Sequence, residues 1–268
     1  MCRLRRLEPK QDSAPEHSKQ VMWGHRADRP TEVSRLCSRP WPPTCRALSH
    51  LLNGADQSDL VNEYEKDGAE IYRQSFAMIR AITDLSRFSP EEAQVVVRMI
   101  HSCGMVDLAR DIAFSPGAVL KARDALRTGA TILCDVQMVA SGVTRRRLPA
   151  DNTVLCTLSD PRVAPLALEI GNTRTAASVE LWRDHLDGAV VAIGNAPTAL
   201  FHLLDLLRES STRPAVVLGI PVGFIGAAES KKALVDSDLD LDYIVVHGRR
   251  GGSAITCGAL NALASEEE

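Results

Sequence analysis

The chain has 268 residues, 45% of them apolar and 24% charged, an ordinary balance for a globular protein large enough to bury its own core. A net charge of -3 argues against a dedicated nucleic-acid binder, and no apolar run approaches the roughly 20 residues of a membrane span. Seven cysteines without a single CxxC pair argue against a disulfide framework or a zinc site, and point to reduced thiols and the cytoplasm.

Residues 1–58 stand apart. They carry 10 Lys/Arg against 6 Asp/Glu, whereas the remainder carries a net charge of -7. Pro30, Pro40, Pro42 and Pro43 interrupt the segment, and it lacks the continuous apolar stretch of a secretory signal. It reads as a disordered N-terminal extension, the other reading being a targeting or partner-binding arm. Residues 59–268 are expected to form the folded domain.

Within that domain, Ile71, Met78, Ile79, Ile82 and Leu85 recur at helical spacing. Ser89-Pro90-Glu91-Glu92 opens a second helix, with Ser as cap, Pro in the first turn and Glu92 closing a capping box. Ser115-Pro116 opens a third, through about Arg127. Five apolar runs rich in β-branched residues follow: Thr131–Val139, Thr153–Leu158, Ala189–Ile193, Ala215–Ile220 and Tyr243–Val246. Helical segments separate the later runs, at about 163–186, Pro197–Arg208 and Ala227–Val235, and Ala254–Ala264 closes the chain. Alternating helices and near-continuous apolar strands predict a three-layer α/β/α sandwich around a five-stranded, mainly parallel sheet.

In such a sheet, ligands bind beyond the carboxyl ends of the strands. Those ends read Ala140-Ser141-Gly142-Val143-Thr144, Ser159-Asp160, Gly194-Asn195-Ala196, Gly219-Ile220-Pro221-Val222-Gly223 and His247-Gly248-Arg249-Arg250-Gly251-Gly252-Ser253. Glycines there let backbone approach a ligand, and the following helix N-termini favour anions, although each would serve equally as a tight turn. GIPVGFIG lacks a GxG start, and neither a GxxxxGK[ST] loop nor a GxSxG elbow occurs, so the usual nucleotide and serine-hydrolase signals are missing.

Of four histidines in this domain, His185 and His202 read as structural, and His247 fits a core residue as well as a site residue. His101 ends the capped helix with Arg98 three positions before it, so both project from neighbouring positions. A cation beside a titratable imidazole suits an anionic ligand that needs a proton, although a structural pair would look the same.

Several stretches, taken in order, resemble the precorrin-8X methylmutase family. They are Ile71–Phe76, Arg98–His101 with Gly104, Thr131–Val136, Gly171–Ala176, Gly194–Leu200, Gly219–Phe224 and His247–Ser253. The resemblance runs from about residue 59 to near the C-terminus. It implies an isomerase of cobalamin biosynthesis that moves a methyl group from C-11 to C-12 of a corrin precursor by a 1,5-sigmatropic shift, giving hydrogenobyrinic acid. It also implies a homodimer, no redox cofactor or methyl donor, and a proton-transfer role at the histidine matching His101. Ser75 falls on a position the family uses for ligand contact. The carboxylate-rich tetrapyrrole must be held by local cations, because the domain's own charge is negative. The expected substrate-binding residues are Ser75, Arg98, Gly142, Thr144, Arg174 and Asn195; Arg145–Arg147 and Arg249–Arg250 are further candidate cations, of which Arg146 and Arg147 read rather as solvated surface. Two rival readings are a corrinoid-binding protein without turnover, separated by a turnover assay, and a Rossmann-like oxidoreductase, separated by NAD binding.

Overall fold

The computed structural model describes residues 64–265, so the expected extension at 1–58 lies outside the described residues. Two amphipathic helices come first, α1 (Gly68–Ile82) and α2 (Pro90–His101). The capping box at α2 forms as expected: Ser89 Oγ accepts from the Glu92 amide at 3.2 Å, and Glu92 Oε2 accepts from the Ser89 amide at 2.9 Å. Such a cap is worth about 1 kcal/mol. It fixes where α2 begins, and hence where His101 ends it.

Among the described residues the sheet has six strands where five were expected. They are β1 (Ile112–Phe114), β2 (Ile132–Cys134), β3 (Val154–Leu155), β4 (Val190–Ile193), β5 (Val216–Gly219) and β6 (Tyr243–Val246), in the order β1-β6-β5-β4-β2-β3. All pairings are parallel except β1 with β6. Between the strands lie α3 (Ala118–Arg127), α4 (Gln137–Gly142), α5 (Val163–Glu169), α6 (Arg174–Glu180), α7 (Pro197–Arg208) and α8 (Ala227–Val235), and α9 (Ser253–Ala264) closes the fold. The helix expected across 163–186 is instead α5, α6 and a short 3-10 turn, because Gly171 at φ 62° breaks the first helix.

The period-two alternation of the strands separates two cores. Ile132, Cys134, Val190, Ala192, Val216, Leu218, Ile244 and Val246 face α2, α3, α4 and α9. Leu133, Val191, Ile193, Val217 and Val245 face α6, α7 and neighbouring residues of α8. This is the three-layer sandwich read from the sequence. Helix α9 is the inner organiser of the first face. A side chain at Gly258 would stand 3.0 Å from the Arg98 carbonyl and from Ser102 Oγ, so only glycine lets α2 lie this close. Among the described residues no helix is long and apolar enough to cross a membrane.

Candidate active site

His101 is held from α1. Ser75 Oγ lies 2.8 Å from its Nδ1, so the two rings of helix join at a hydrogen bond between side chains 26 residues apart. The Tyr72 ring lies over the imidazole at 5.0 Å and a 37° tilt, and Phe76 meets it edge-on at 5.1 Å. Tyr72, Ser75 and Phe76 are one turn or one residue apart on α1, so a single helix face builds this box. With Nδ1 occupied, Nε2 makes no hydrogen bond among the described residues and is the nitrogen available to a ligand.

Arg98 lies deeper. It is 9% exposed, with its guanidinium 5.1 Å from the Phe76 ring centre. It acts electrostatically on His101: burial first, and then the Arg98 charge, hold the imidazole pKa below its ordinary value. Both disfavour the protonated form. The resting imidazole is therefore mainly neutral at pH 7, and bringing a carboxylate beside it restores proton affinity.

Of the other residues expected at the site, Arg174 and Asn195 stand at the carboxyl edge, whereas Gly142 and Thr144 lie against α9, one and two turns past its start. Gly142 ends α4, where a Cβ would stand 2.2 Å from Cys257 Sγ, so close helix packing accounts for the glycine. Asn261 of α9 pins the following turn, accepting from the Thr144 amide at 2.8 Å and donating to the Gly142 carbonyl at 3.0 Å. Arg174 begins α6 and is exposed, with a long 3.4 Å bond to the Leu158 carbonyl as its one hydrogen bond among the described residues. Beside it the hydroxyls of Thr173, Thr175 and Thr198 lie 2.8–3.2 Å apart, at the starts of α6 and α7. Asn195 is half-buried at the end of β4.

Two buried charges organise this edge, and neither was expected as a site residue. Asp135, fully buried, accepts backbone N–H bonds from Gly194, Asn195 and Ala196 at 2.8–3.0 Å. It sits where the chain reverses direction across the sheet, between β2 and β4, and occupies the amides at the start of α7. An anionic ligand cannot also take those amides. Burial pushes the Asp135 pKa up, opposed by the three N–H donors. Lys231, also fully buried, donates to the carbonyls of Pro221 at 3.0 Å and Arg250 at 2.7 Å. Its ammonium ties the loop after β5 to the loop after β6.

Arg250 pairs with Asp107 at 2.6 Å and Asp111 at 3.6 Å, joining the β6 loop to the segment just after His101. Arg249 is exposed and stacks 5.5 Å from the Phe224 ring centre. His247 is exposed, not a core residue, and His202 pairs with Glu180 at 2.6 Å. Beside the segment after His101 lie two hollows that share Met105. One, of about 720 Å³, is lined by Ile82, Arg87, Gly104, Met105 and Arg110; its size falls in the range of small-molecule sites. The other, of about 260 Å³, is lined by Met105, Val222, Phe224, Arg249 and Arg250.

A sequence model described as precorrin-8X methylmutase matches residues 70–266. The chain belongs to the precorrin-8X methylmutase family. It is 59% identical over 202 residues to a precorrin-8X methylmutase of Sinorhizobium sp, covering 75% of this chain and 96% of the relative. It is 55% identical over 206 residues to that of Pseudomonas aeruginosa, covering 77% and 99%. A cobalt-precorrin-8 methylmutase of Priestia megaterium is 37% identical, covering 72% and 86%. Among solved structures, the precorrin-8X methylmutase of Thermus thermophilus superposes with a TM-score of 0.66 at 38% identity, over 72% of this chain and 95% of that one. In this methylmutase, then, the helical pair α1–α2 and the glycine-rich strand ends belong to the matched region, and His101 with its aromatic box stands inside it.

Proposed function

We propose that the edge around His101 is where this isomerase of cobalamin biosynthesis moves the methyl group from C-11 to C-12 of precorrin-8X, with His101 as proton donor and acceptor. The observation that carries the reading is the placement of His101. Its ring is fixed at Nδ1 by Ser75, clamped between Tyr72 and Phe76, and left with a free Nε2. A positioned imidazole can lend a proton to the conjugated ring and recover it after the methyl shift, so no co-reactant is consumed. The lowered pKa suits a group that starts neutral and gains its proton only as substrate carboxylates arrive. We assign Ser75 to holding the imidazole, Arg98 to tuning it, and Arg174 and Asn195 at the carboxyl edge, with Gly142 and Thr144 beside α9, to the substrate periphery.

The metal-free substrate is favoured because the relatives at 55–59% identity bear the precorrin-8X name, whereas the cobalt-precorrin-8 name falls on relatives at 30–37%. A homodimer is supported by α1, which leaves Ile71, Met78 and Ile82 exposed along one stripe while packing its other face on α2. Sedimentation velocity should give twice the mass of one chain. A cytoplasmic location is supported by the free thiols of Cys103, Cys134, Cys156 and Cys257.

His101→Asn tests the central assignment, since it keeps size and polarity but transfers no proton near neutral pH. The variant should fold and bind hydrogenobyrinic acid, yet lose turnover of precorrin-8X by at least about 100-fold. Turnover near the wild-type rate would remove His101 from the chemistry.

A further inference from the structure

The loop between β5 and α8 carries two large apolar side chains into solvent: Phe224 is 84% exposed and Ile225 is 91% exposed. With Leu168 they are the three most exposed large hydrophobic side chains among the described residues, and they stand at the carboxyl edge of the sheet, where ligands bind. Their base is rigid. Lys231 bonds to the Pro221 and Arg250 carbonyls, the Gly223 amide donates to the Arg249 carbonyl at 3.1 Å, and the Gly252 amide donates to the Ile220 carbonyl at 2.9 Å. At Gly251 a Cβ would stand 2.2 Å from the Ile220 carbonyl oxygen, so the two loops touch backbone to backbone. A fixed base with an apolar tip is a built surface, unlike a frayed turn.

The company of that tip says what it fits. Phe224, Val222 and Met105 wall an apolar hollow, and Met105 lies four residues after His101. The Arg249 guanidinium lies over the Phe224 ring, and Arg249 has no carboxylate partner among the described residues. Arg250, its neighbour, is by contrast neutralised by Asp107 and Asp111. A ligand matched to this surface has a broad flat apolar face and an anionic rim on the same side. A protein partner's apolar patch would meet an unpaired cation instead, at a desolvation cost.

We propose that Phe224 and Ile225, with Met105 behind them, form the wall on which one face of the tetrapyrrole lies, while Arg249 takes a carboxylate at its rim. This rests on the reading that the ring binds beside His101. The wall orients the macrocycle; it takes no part in proton transfer. Conjugated ring against Phe224 is an offset-stacking contact, and the tip loses its exposure when the ring is seated.

The test is a visible-absorbance titration with hydrogenobyrinic acid, on wild type, on F224S/I225S and on F224L/I225L, with sedimentation velocity on all three. Both side chains are exposed, so neither double variant disturbs the core. F224S/I225S should bind with a Kd raised by at least about tenfold, equivalent to 1.4 kcal/mol, and F224L/I225L should stay within about threefold of wild type because apolar area is kept. Sedimentation should be unchanged throughout. Equal affinity in wild type and F224S/I225S overturns the wall alone and leaves the site reading intact. A change of association state in F224S/I225S also overturns it, by giving the loop to a second subunit. Failure of wild type to bind overturns the site reading itself, and the wall with it.

Discussion

At the scale of single residues, the pair Arg98 and His101 behaves differently from the picture that spacing suggests. Three positions apart on a helix, they look like two groups presented together to a ligand. The structure instead buries Arg98 against Phe76 and leaves the imidazole above it, so the cation acts on the proton affinity of His101. Arg98→Met should raise the pKa of His101 towards its ordinary value by removing the second of the two causes that lower it. The ionisation seen in the pH dependence of turnover, or in the imidazole NMR signals, should move to higher pH. An unmoved ionisation would show that burial alone sets it. That His101 and Ser75 stand in family-like stretches was legible in the sequence; the hydrogen bond that joins them was not. Nor was their aromatic box: Tyr72 and Phe76, four apart, fit the apolar face of any amphipathic helix. Asp135 was hidden for a related reason. It interrupts an apolar run by one residue, and only the fold shows that Gly194, Asn195 and Ala196 converge on its carboxylate.

At the scale of elements, the long apolar runs overstate the strands. Thr131–Val139 reads as nine continuous strand residues, yet β2 stops at Cys134, because Asp135 turns the chain into α4. Strand β1 was missed for the opposite reason. Ile112–Phe114 has only three residues, follows directly on a 3-10 turn, and gains its identity from pairing with β6, a partner more than 120 residues away. The loops that matter most are held by Lys231, which sequence places on an ordinary charged helix. Burial lowers its pKa to about 8, against 10.5 for an unperturbed lysine. Between those values the unfolded chain binds the proton and the folded chain does not, so this group makes stability rise with pH across that window. The sign is opposite for the buried thiols, such as Cys257, raised to about 11, whose folded forms hold protons longer. The comparison with Lys231→Met isolates the lysine. The stability of wild type relative to Lys231→Met, from urea unfolding, should increase from pH 8 to pH 10, and a flat difference would mean that Lys231 titrates normally. Lys231→Met should also weaken hydrogenobyrinic acid binding, since two carbonyls lose their donor and the loops they anchor loosen.

At the scale of the whole molecule, the sequence carries two stretches of opposite net charge, and the family match takes in only the acidic one. The match begins at residue 70, the described structure at residue 64, and the basic, proline-interrupted segment lies before both. Every residue proposed for the site, from Ser75 to Arg250, belongs to the acidic portion, and so does each strand of the sheet. The relatives at 55–59% identity are covered almost end to end by about three quarters of this chain, so their own lengths hold no counterpart to the remaining quarter. The chemistry is therefore expected to need nothing from residues 1–58. One electrostatic consideration could oppose this: the segment is the basic part of a chain whose substrate is rich in carboxylates, and a mobile-ion-screened attraction would speed encounter without touching the site. The two roles separate by ionic strength. A chain beginning at Asp59 should keep the melting temperature within a few degrees and the same kcat for precorrin-8X, at both low and physiological salt. Should kcat/KM fall at low salt and recover to the full-length value as salt is raised, the segment steers substrate from a distance. Loss of kcat or of thermal stability at either salt would instead make the segment a working part of the domain.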